Sequence, residues 1–305
     1  MLEAGIYRDI DPATYYADPC EEPSLSQSIC KILLERSAWH AAHEHPRLPP
    51  HPQADEDETE KYDKPKAVGT AAHAVMIGRG KTLEILDFND FKSGDAKKAR
   101  DAAYRASKAP ILEKHYAVAV DVVSSGLLQL RDHEDSDAFK NGSGEVALIW
   151  QDDGIWCRAL VDWLHDDLRT MDDYKTSAMS MAPHVIGMRA ETAGWHVQAA
   201  FIERGLDILD PAGAGRRRFR FIGQEQAARP YALTSVHMDE HWLTLGRKKV
   251  DAAMSIWRRS MQSGKWPGYG SRPIVPEYPA FREKAWLERE LSGEFENDPS
   301  LIMAG

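Results

Sequence analysis

Apolar and polar positions alternate most regularly in the middle of the chain. In IWCRALVDWL, residues 155–164, Ile155, Cys157, Ala159, Val161 and Trp163 take every second position, with Arg158 and Asp162 on the other face. That is the period of a strand with one buried side. EVALIW at 145–150 precedes it across QDDG, and Asp-Gly between two such runs is a strong hairpin signal. A polar HDD turn leads into LRTMDDYKTS, a third strand expected to pair back antiparallel. RRRFRFIGQEQ and YALTSVHMD add two further strand-like runs.

Elsewhere the period lengthens to that of helices. From Ser26 as N-cap, QSICKILLERSAWHAAHEH reads as one helix stopped by Pro46. AVGTAAHAVMIGRG, from Ala67, predicts a helix of small residues, followed by a polar helix over 94–109 and another over 110–130. After Pro183 a helix is expected to reach Arg204, with Gly205 as its C-cap. Leu243, Val250, Met254, Trp257 and Met261 then recur at the spacing of an amphipathic helix. Residues 46–66 mix prolines with an acidic run and read as a mobile surface segment or a threshold before the core. The organisation expected is a helical segment and loop over 1–66, a core over 67–267 and a surface segment over 268–305, together one compact domain.

Composition narrows the class. The 305 residues are 43% hydrophobic and 28% charged, enough to bury a full core. No apolar run is long enough to cross a membrane, and the start lacks a basic stretch followed by an apolar one, so a cytoplasmic protein without membrane contact is expected. Three cysteines, Cys20, Cys30 and Cys157, are odd in number and far apart, which favours reduced, buried thiols over a disulfide framework. A net charge of -10 argues against non-specific coating of nucleic acid. It leaves room for local basic contacts, with Arg158 and the Arg216, Arg217 and Arg218 tract as the DNA-binding candidates.

The acids supply the candidate chemistry. Glu145 lies on the first strand of the hairpin, Asp162 on the second, and Asp173 with Lys175 on the third. On a strand Asp173 and Lys175 share a face while Tyr174 turns away. A solvated surface pair has the same spacing, but carboxylates converging from adjacent strands are the hard ligands that Mg²⁺ or Mn²⁺ prefers. His40, His43 and His45 also cluster, yet no acid or cysteine at ligand spacing completes a set. Trp39, Trp195 and Trp257 fall at helical spacing and are expected in the core.

Within these runs, VDWLHDDLRTMDDYKT resembles the D…(D/E)xK signature of the PD-(D/E)XK nuclease superfamily, with Asp162 as first acid and Asp173-Tyr174-Lys175 as second part. More closely, the chain resembles the RecE-type (exonuclease VIII) phage recombination exonucleases over most of its length. GTAAHAVM at 69–76 is similar to that family's Gly-Thr-x-x-His helix, CRALVD to its Cys-Arg-x-Arg-Pro-Asp run, DYKTS to its Asp-x-Lys-Thr, and GWHVQAAF at 194–201 to its Tyr-His-x-Gln-x-x-Phe helix. Two positions depart: Val161 stands where the superfamily name has Pro, and Ile202 stands where related RecB-like nucleases carry Tyr four residues after Gln198.

The resemblance implies an α/β (α+β) fold with a restriction-endonuclease-like core, a mixed central sheet flanked by helices. It implies a Mg²⁺-dependent double-strand DNA exonuclease, with Mn²⁺ as a substitute, that resects 5′ ends to leave 3′ overhangs for phage or prophage recombination. The metal would be held by His73, Asp162, Asp173, the backbone carbonyl of Tyr174 and Glu145, with Lys175 and Gln198 completing the catalytic set. DNA ends, a RecT-like annealing protein and further copies of the chain in a ring are the expected partners. An endonuclease of the same superfamily, or a non-catalytic DNA-end-binding or assembly subunit, are the alternatives.

Overall fold

The computed structural model describes residues 1–48 and 62–295; most of the 46–66 segment, including its acidic run at 55–60, lies outside the described residues. In chain order the elements are strand β1 (Gly5–Tyr7), helix α1 (Pro12–Tyr16), β2 (Leu25–Ser26), α2 (Gln27–Glu35) and α3 (Ala38–Glu44). Next come α4 (Lys64–Ile77), β3 (Leu83–Leu86), α5 (Gly94–Arg105), β4 (Ala109–Leu112) and α6 (Glu113–Arg131). Then follow β5 (Gly142–Asp152), β6 (Ile155–His165), β7 (Thr170–Ser177), α7 (Pro183–Ala193), α8 (Trp195–Leu209), β8 (Arg218–Glu225), β9 (Leu233–His237), α9 (Glu240–Ser263) and α10 (Ala280–Leu291). Residues 1–268 form one compact unit and 269–305 another; among the described residues α10 is the one helix of the second.

The hairpin organises the first unit. Asp153 and Gly154 both have left-handed backbone, with φ of 49° and 76°, the requirement of the two-residue turn that matches strand twist. The long β5–β6 ladder this turn sets up extends into a seven-stranded sheet of order β1-β5-β6-β7-β8-β9, with β2 joined to β6. Strands β7 and β8 run parallel, connected through α7 and α8, whereas β5–β6, β6–β7 and β8–β9 are antiparallel. The fold is therefore a mixed central sheet flanked by helices, as expected.

The ladder between β6 and β7 is short. Trp163 pairs with Asp172 and Leu164 with Met171, after which the strands part. Strand β2 takes up pairing with β6 further along, at Cys157 and Arg158, while β7 stays with β8 along its whole length. This fork in the sheet leaves backbone groups in need of other partners, and it opens where the candidate acids begin.

Two apolar layers cover the sheet. Ile29, Phe201, Ile202, Val250 and Trp257 from α2, α8 and α9 pack with Val146, Leu148, Trp150 and Met171. On the other side Val68, Ala71 and Ala72 of α4 and Val122 of α6 pack with Tyr174 and Ile222. Both layers are dense enough to dictate glycine. A Cβ on Gly205 would come within 2.8 Å of the Trp150 ring, so Gly205 is a packing position inside α8, not the helix end that its sequence context suggests. The break falls instead at Gly194, with φ of 73°, between α7 and α8.

Other boundaries shift for similar local reasons. Ser26 does cap α2, accepting from the Ile29 N–H at 3.4 Å. Ser37, however, caps a separate α3 by accepting from the His40 N–H at 3.3 Å, so the single helix expected over 26–45 is two. Residues 109–112 form β4, paired in parallel with β3, where a helix start was expected at 110. Trp195 and Trp257 are in the core, but Trp39 is 46% exposed. All three cysteines are free and buried.

Candidate metal centre and active site

Asp162 is the hub of the site because two registers meet on it. Along β5–β6, Gly144 pairs with Trp163 and Val146 with Val161, which sets Glu145 across from Asp162. Along β6–β7 the next step after Trp163–Asp172 would set Asp162 across from Asp173. Three acids from three adjacent strands therefore form a row at the fork. There the ladder is replaced by a side chain, as Asp162 Oδ2 accepts the Tyr174 N–H at 3.0 Å.

Glu145 has a left-handed φ of 54° in the middle of a strand, a conformation that is uncommon outside glycine. The pleat changes phase there. Val146, Leu148 and Trp150 enter the layer under α8 and α9, whereas a Cβ on Gly144 would point at Ile77 of α4, 2.5 Å away. In β6, Val161 packs in the first layer and Trp163 against the second. The switch lies where Glu145 and Asp162 meet α4.

From α4 comes His73. Asp63 caps the helix, accepting from the Lys66 N–H at 3.5 Å, Pro65 enters its first turn, and Gly78 ends it with φ of 72°. Gly69, one turn before His73, lies against β7: a Cβ there would be 2.7 Å from Thr176 Oγ1. The Gly-Thr before the histidine thus has a steric reason, since only glycine lets α4 settle that close to the strand carrying Lys175. His73 Nε2 lies 3.1 Å from Asp162 Oδ2 and its Nδ1 3.7 Å from Glu145 Oε1. Gly80, with φ of 117°, fits against both His73 and Glu145.

One donor atom each from His73, Glu145 and Asp162 lie within 4.8 Å of one another. Asp173 adjoins this trio and is almost wholly buried. Its Oδ2 accepts a hydrogen bond from Gln198 Nε2 on α8. Its Oδ1 is ion-paired with Lys175 Nζ at 2.5 Å. A buried carboxylate beside three convergent donors fits a hard divalent cation, for which His73, Glu145, Asp162 and Asp173 would be the ligands.

The electrostatics fit a cation as well. Burial first, and then the neighbouring Asp162 and Asp173 charges against the opposing pull of His73, push the Glu145 carboxyl up to about 6. Burial and the Asp162 charge push Asp173 up to about 6 too. Asp162 is held below its ordinary value because, against burial, the His73 hydrogen bond and charge, Lys175 and the Tyr174 N–H favour its ionised form. His73 is raised: burial opposes its charge, but Asp162, Glu145 and Asp173 outweigh it. Lys175 is raised despite burial, by Asp173 and Asp162, and is therefore an ammonium at neutral pH. It can neutralise developing charge and orient a water, but it is not a base.

Behind the strand, Asp172 points away from Asp173 into a buried polar network. Arg220 is fully buried and donates to Asp172 at 2.5 Å, Asp137 at 2.6 Å and Asp135 at 3.2 Å. His165 Nε2 is 2.8 Å from Asp172 Oδ2. This network fixes β7 to β8 and to the loop before β5. Tyr174 lies on the same side, with its hydroxyl donating to Gln224. The contact that ties Tyr174 to Asp162 is through its N–H.

The arginines proposed for DNA are placed apart. Arg158 is buried, bonded to Ser24 and 3.1 Å from Asp18. The Arg217 side chain is buried against Asp207 and Asp210. Arg216 bonds the Ala212 carbonyl, and Arg218, half exposed, lies 3.9 Å from Asp137. None of the four adjoins the acids. Sequence reasoning also passed over Tyr16 of α1, whose phenol is raised by desolvation and then by the charges of Glu145 and Asp162. No motif marks it, because α1 reaches the site only through the fold.

No protein-family profile matches this chain, and no curated protein matches it. Among solved structures its fold is similar to that of a "Putative exonuclease" from Eubacterium rectale. The TM-score is 0.56 at 10% sequence identity, over 91% of this chain and 98% of the other. Likeness at that identity is likeness of fold. Among the described residues no helix is long and apolar enough to cross a membrane.

Proposed function

We propose that this chain is a divalent-metal-dependent exonuclease of the PD-(D/E)XK type that digests double-stranded DNA from its 5′ ends in the manner of RecE-type enzymes. The observation that carries this reading is the convergence of His73, Glu145 and Asp162 beside Asp173, with the Lys175 ammonium against it. When bound there, Mg²⁺ or Mn²⁺ would mask the charge of a phosphodiester and lower the pKa of a water molecule. Lys175 would steady that water and the developing charge, and Gln198 would hold Asp173 in place. His73 is a softer donor than a carboxylate, so Mn²⁺ is expected to serve at least as well as Mg²⁺. The fold-level likeness to the Eubacterium rectale protein points the same way.

A RecT-like single-strand annealing protein and a ring of identical copies are the partners this reading entails. The test is digestion of end-labelled linear duplex beside a closed circle, with Mg²⁺ or EDTA, by the wild type and Asp173→Ala. Mg²⁺-dependent loss of the 5′ strand of the linear form alone, abolished in the variant, supports the reading. Cutting of the circle would replace it with an endonuclease, and a folded wild type that binds ends without cutting would replace it with a binding subunit.

A further inference from the structure

Beyond Lys175 the site continues into a groove of about 690 Å³ between the end of β7 and α7. Its lining has a composition unlike that of the chain as a whole. The sequence holds 48 acidic and 38 basic residues, yet the groove is lined by Lys31, Lys175 and Arg189 and by no carboxylate. Lys175 is already held by Asp173. Lys31 reaches across from α2 to donate to the Thr192 carbonyl at 3.1 Å, with Glu35 3.7 Å away. Arg189 is different: among the described residues it has no ion-pair partner, and its Nε is buried without a hydrogen bond. A guanidinium left unpaired in an acidic protein awaits an anion, and a planar fork suits phosphate.

The groove also carries apolar contact surface in the open. Met179 is 63% exposed and Met188 80%, and both line it. Flexible thioether side chains adapt to flat faces of any shape, so they contact bases without selecting sequence. Cations for a backbone together with adaptable apolar side chains for bases is the combination that holds a single nucleic-acid strand.

Resting on the nuclease reading above, we propose that this groove carries one DNA strand adjoining the scissile site, its phosphates on Arg189 and Lys31 and its bases against Met179 and Met188. The strand is continuous with the reaction centre because Lys175 and Thr176 line the groove as well as ending the DYKT run.

The test is fluorescence anisotropy of a labelled single-stranded oligonucleotide with the full-length protein in EDTA, across a salt series. Arg189→Gln with Lys31→Gln should weaken binding at least tenfold and flatten the plot of log affinity against log salt by about 0.7 for each phosphate no longer neutralised. Met179→Ser with Met188→Ser should weaken binding and leave that slope unchanged; both side chains are exposed, so folding is not at stake. Unaltered affinity in both variants, with a wild type that binds the strand and digests linear duplex, overturns the groove assignment and leaves the nuclease reading standing. A wild type that neither binds nor cuts DNA overturns both. A photo-crosslinker at position 188 that joins the oligonucleotide supports the proposal, and one that joins only a second copy of the chain overturns it.

Discussion

Glu145 sits across the β5–β6 hairpin from Asp162, and it gets there with a left-handed backbone in the middle of a strand. The alternation of β5 changes phase at that residue, and Glu145 Oε1 lies 3.7 Å from His73 Nδ1. A strained residue placed among like charges is a destabilising arrangement that persists because the surrounding hairpin over-determines it.

Replacing Glu145 should therefore trade stability against metal binding. Glu145→Gly removes both the strained φ and the like charge, whereas Glu145→Gln removes the charge alone. In urea unfolding with EDTA the glycine variant is expected to be more stable than the glutamine variant by about 1 kcal/mol, and both should bind Mn²⁺ more weakly than the wild type in calorimetric titration. A glycine variant less stable than the glutamine one would show that the hairpin imposes no strain at this position.

The pH dependence follows from the same charges. Asp173 and Glu145 titrate at about 6 in the fold, above their ordinary values of 3.8 and 4.5. The folded protein thus holds protons that the unfolded chain releases, so the stability these groups contribute is complete below about pH 4 and is lost as pH rises through 6. A bound cation offsets that loss. The rise in melting temperature on adding Mg²⁺ is expected to be larger at about pH 8 than at about pH 5, and Glu145→Gln with Asp173→Asn should raise the metal-free melting temperature at the higher pH only. Equal shifts at both pH values would contradict the assignment.

What the sequence discloses of this site depends on whether the deciding contact is local. Alternation along DYKT separates Tyr174 from Asp173 and Lys175, and the structure does so too: Tyr174 enters the layer under α4 while Lys175 meets Asp173. The hairpin is legible for the same reason, since Asp153 and Gly154 choose the turn themselves. The phase change at Glu145 is not, because period two predicts an unbroken pleat and nothing in EVALIW marks a positive φ. Arg158 reads as an exposed cation until β2 brings Ser24 and Asp18 to it. Gly205 reads as a helix end until Trp150 arrives from another strand. Tyr16 is the extreme case, more than a hundred residues from Glu145 and Asp162, whose charges act on it.

The close seat of α4 on β7 gives a suppressor prediction. Gly69→Ala adds a methyl 2.7 Å from Thr176 Oγ1, while gaining about 1 kcal/mol of helix propensity. Expected is a chain that remains folded, with His73 displaced and metal affinity reduced about tenfold or more. Thr176→Ala, which removes the opposing hydroxyl and methyl, should restore most of that affinity in the double variant. If the double variant binds metal no better than Gly69→Ala alone, the steric account of the Gly-Thr pair fails.

The buried network behind Asp173 gives the largest expected effect on stability. Arg220 and Asp172 are both fully buried, so Arg220→Ala leaves the Asp172 carboxylate to His165 and the Phe139 N–H, Asp137 to Arg218 at 3.9 Å, and Asp135 to His237 and Ser235. Breaking a buried pair on one side costs about 3–5 kcal/mol, whereas replacing both partners with packed apolar groups is often close to neutral. Urea unfolding should therefore show Arg220→Ala strongly destabilised, and Arg220→Met with Asp172→Leu recovering much of the loss. Because β7 carries Asp173 one residue from Asp172, the single variant should also lose metal affinity under conditions where it remains folded. A loss below about 1 kcal/mol for Arg220→Ala would mean that water reaches these carboxylates and that the network does not hold the strand.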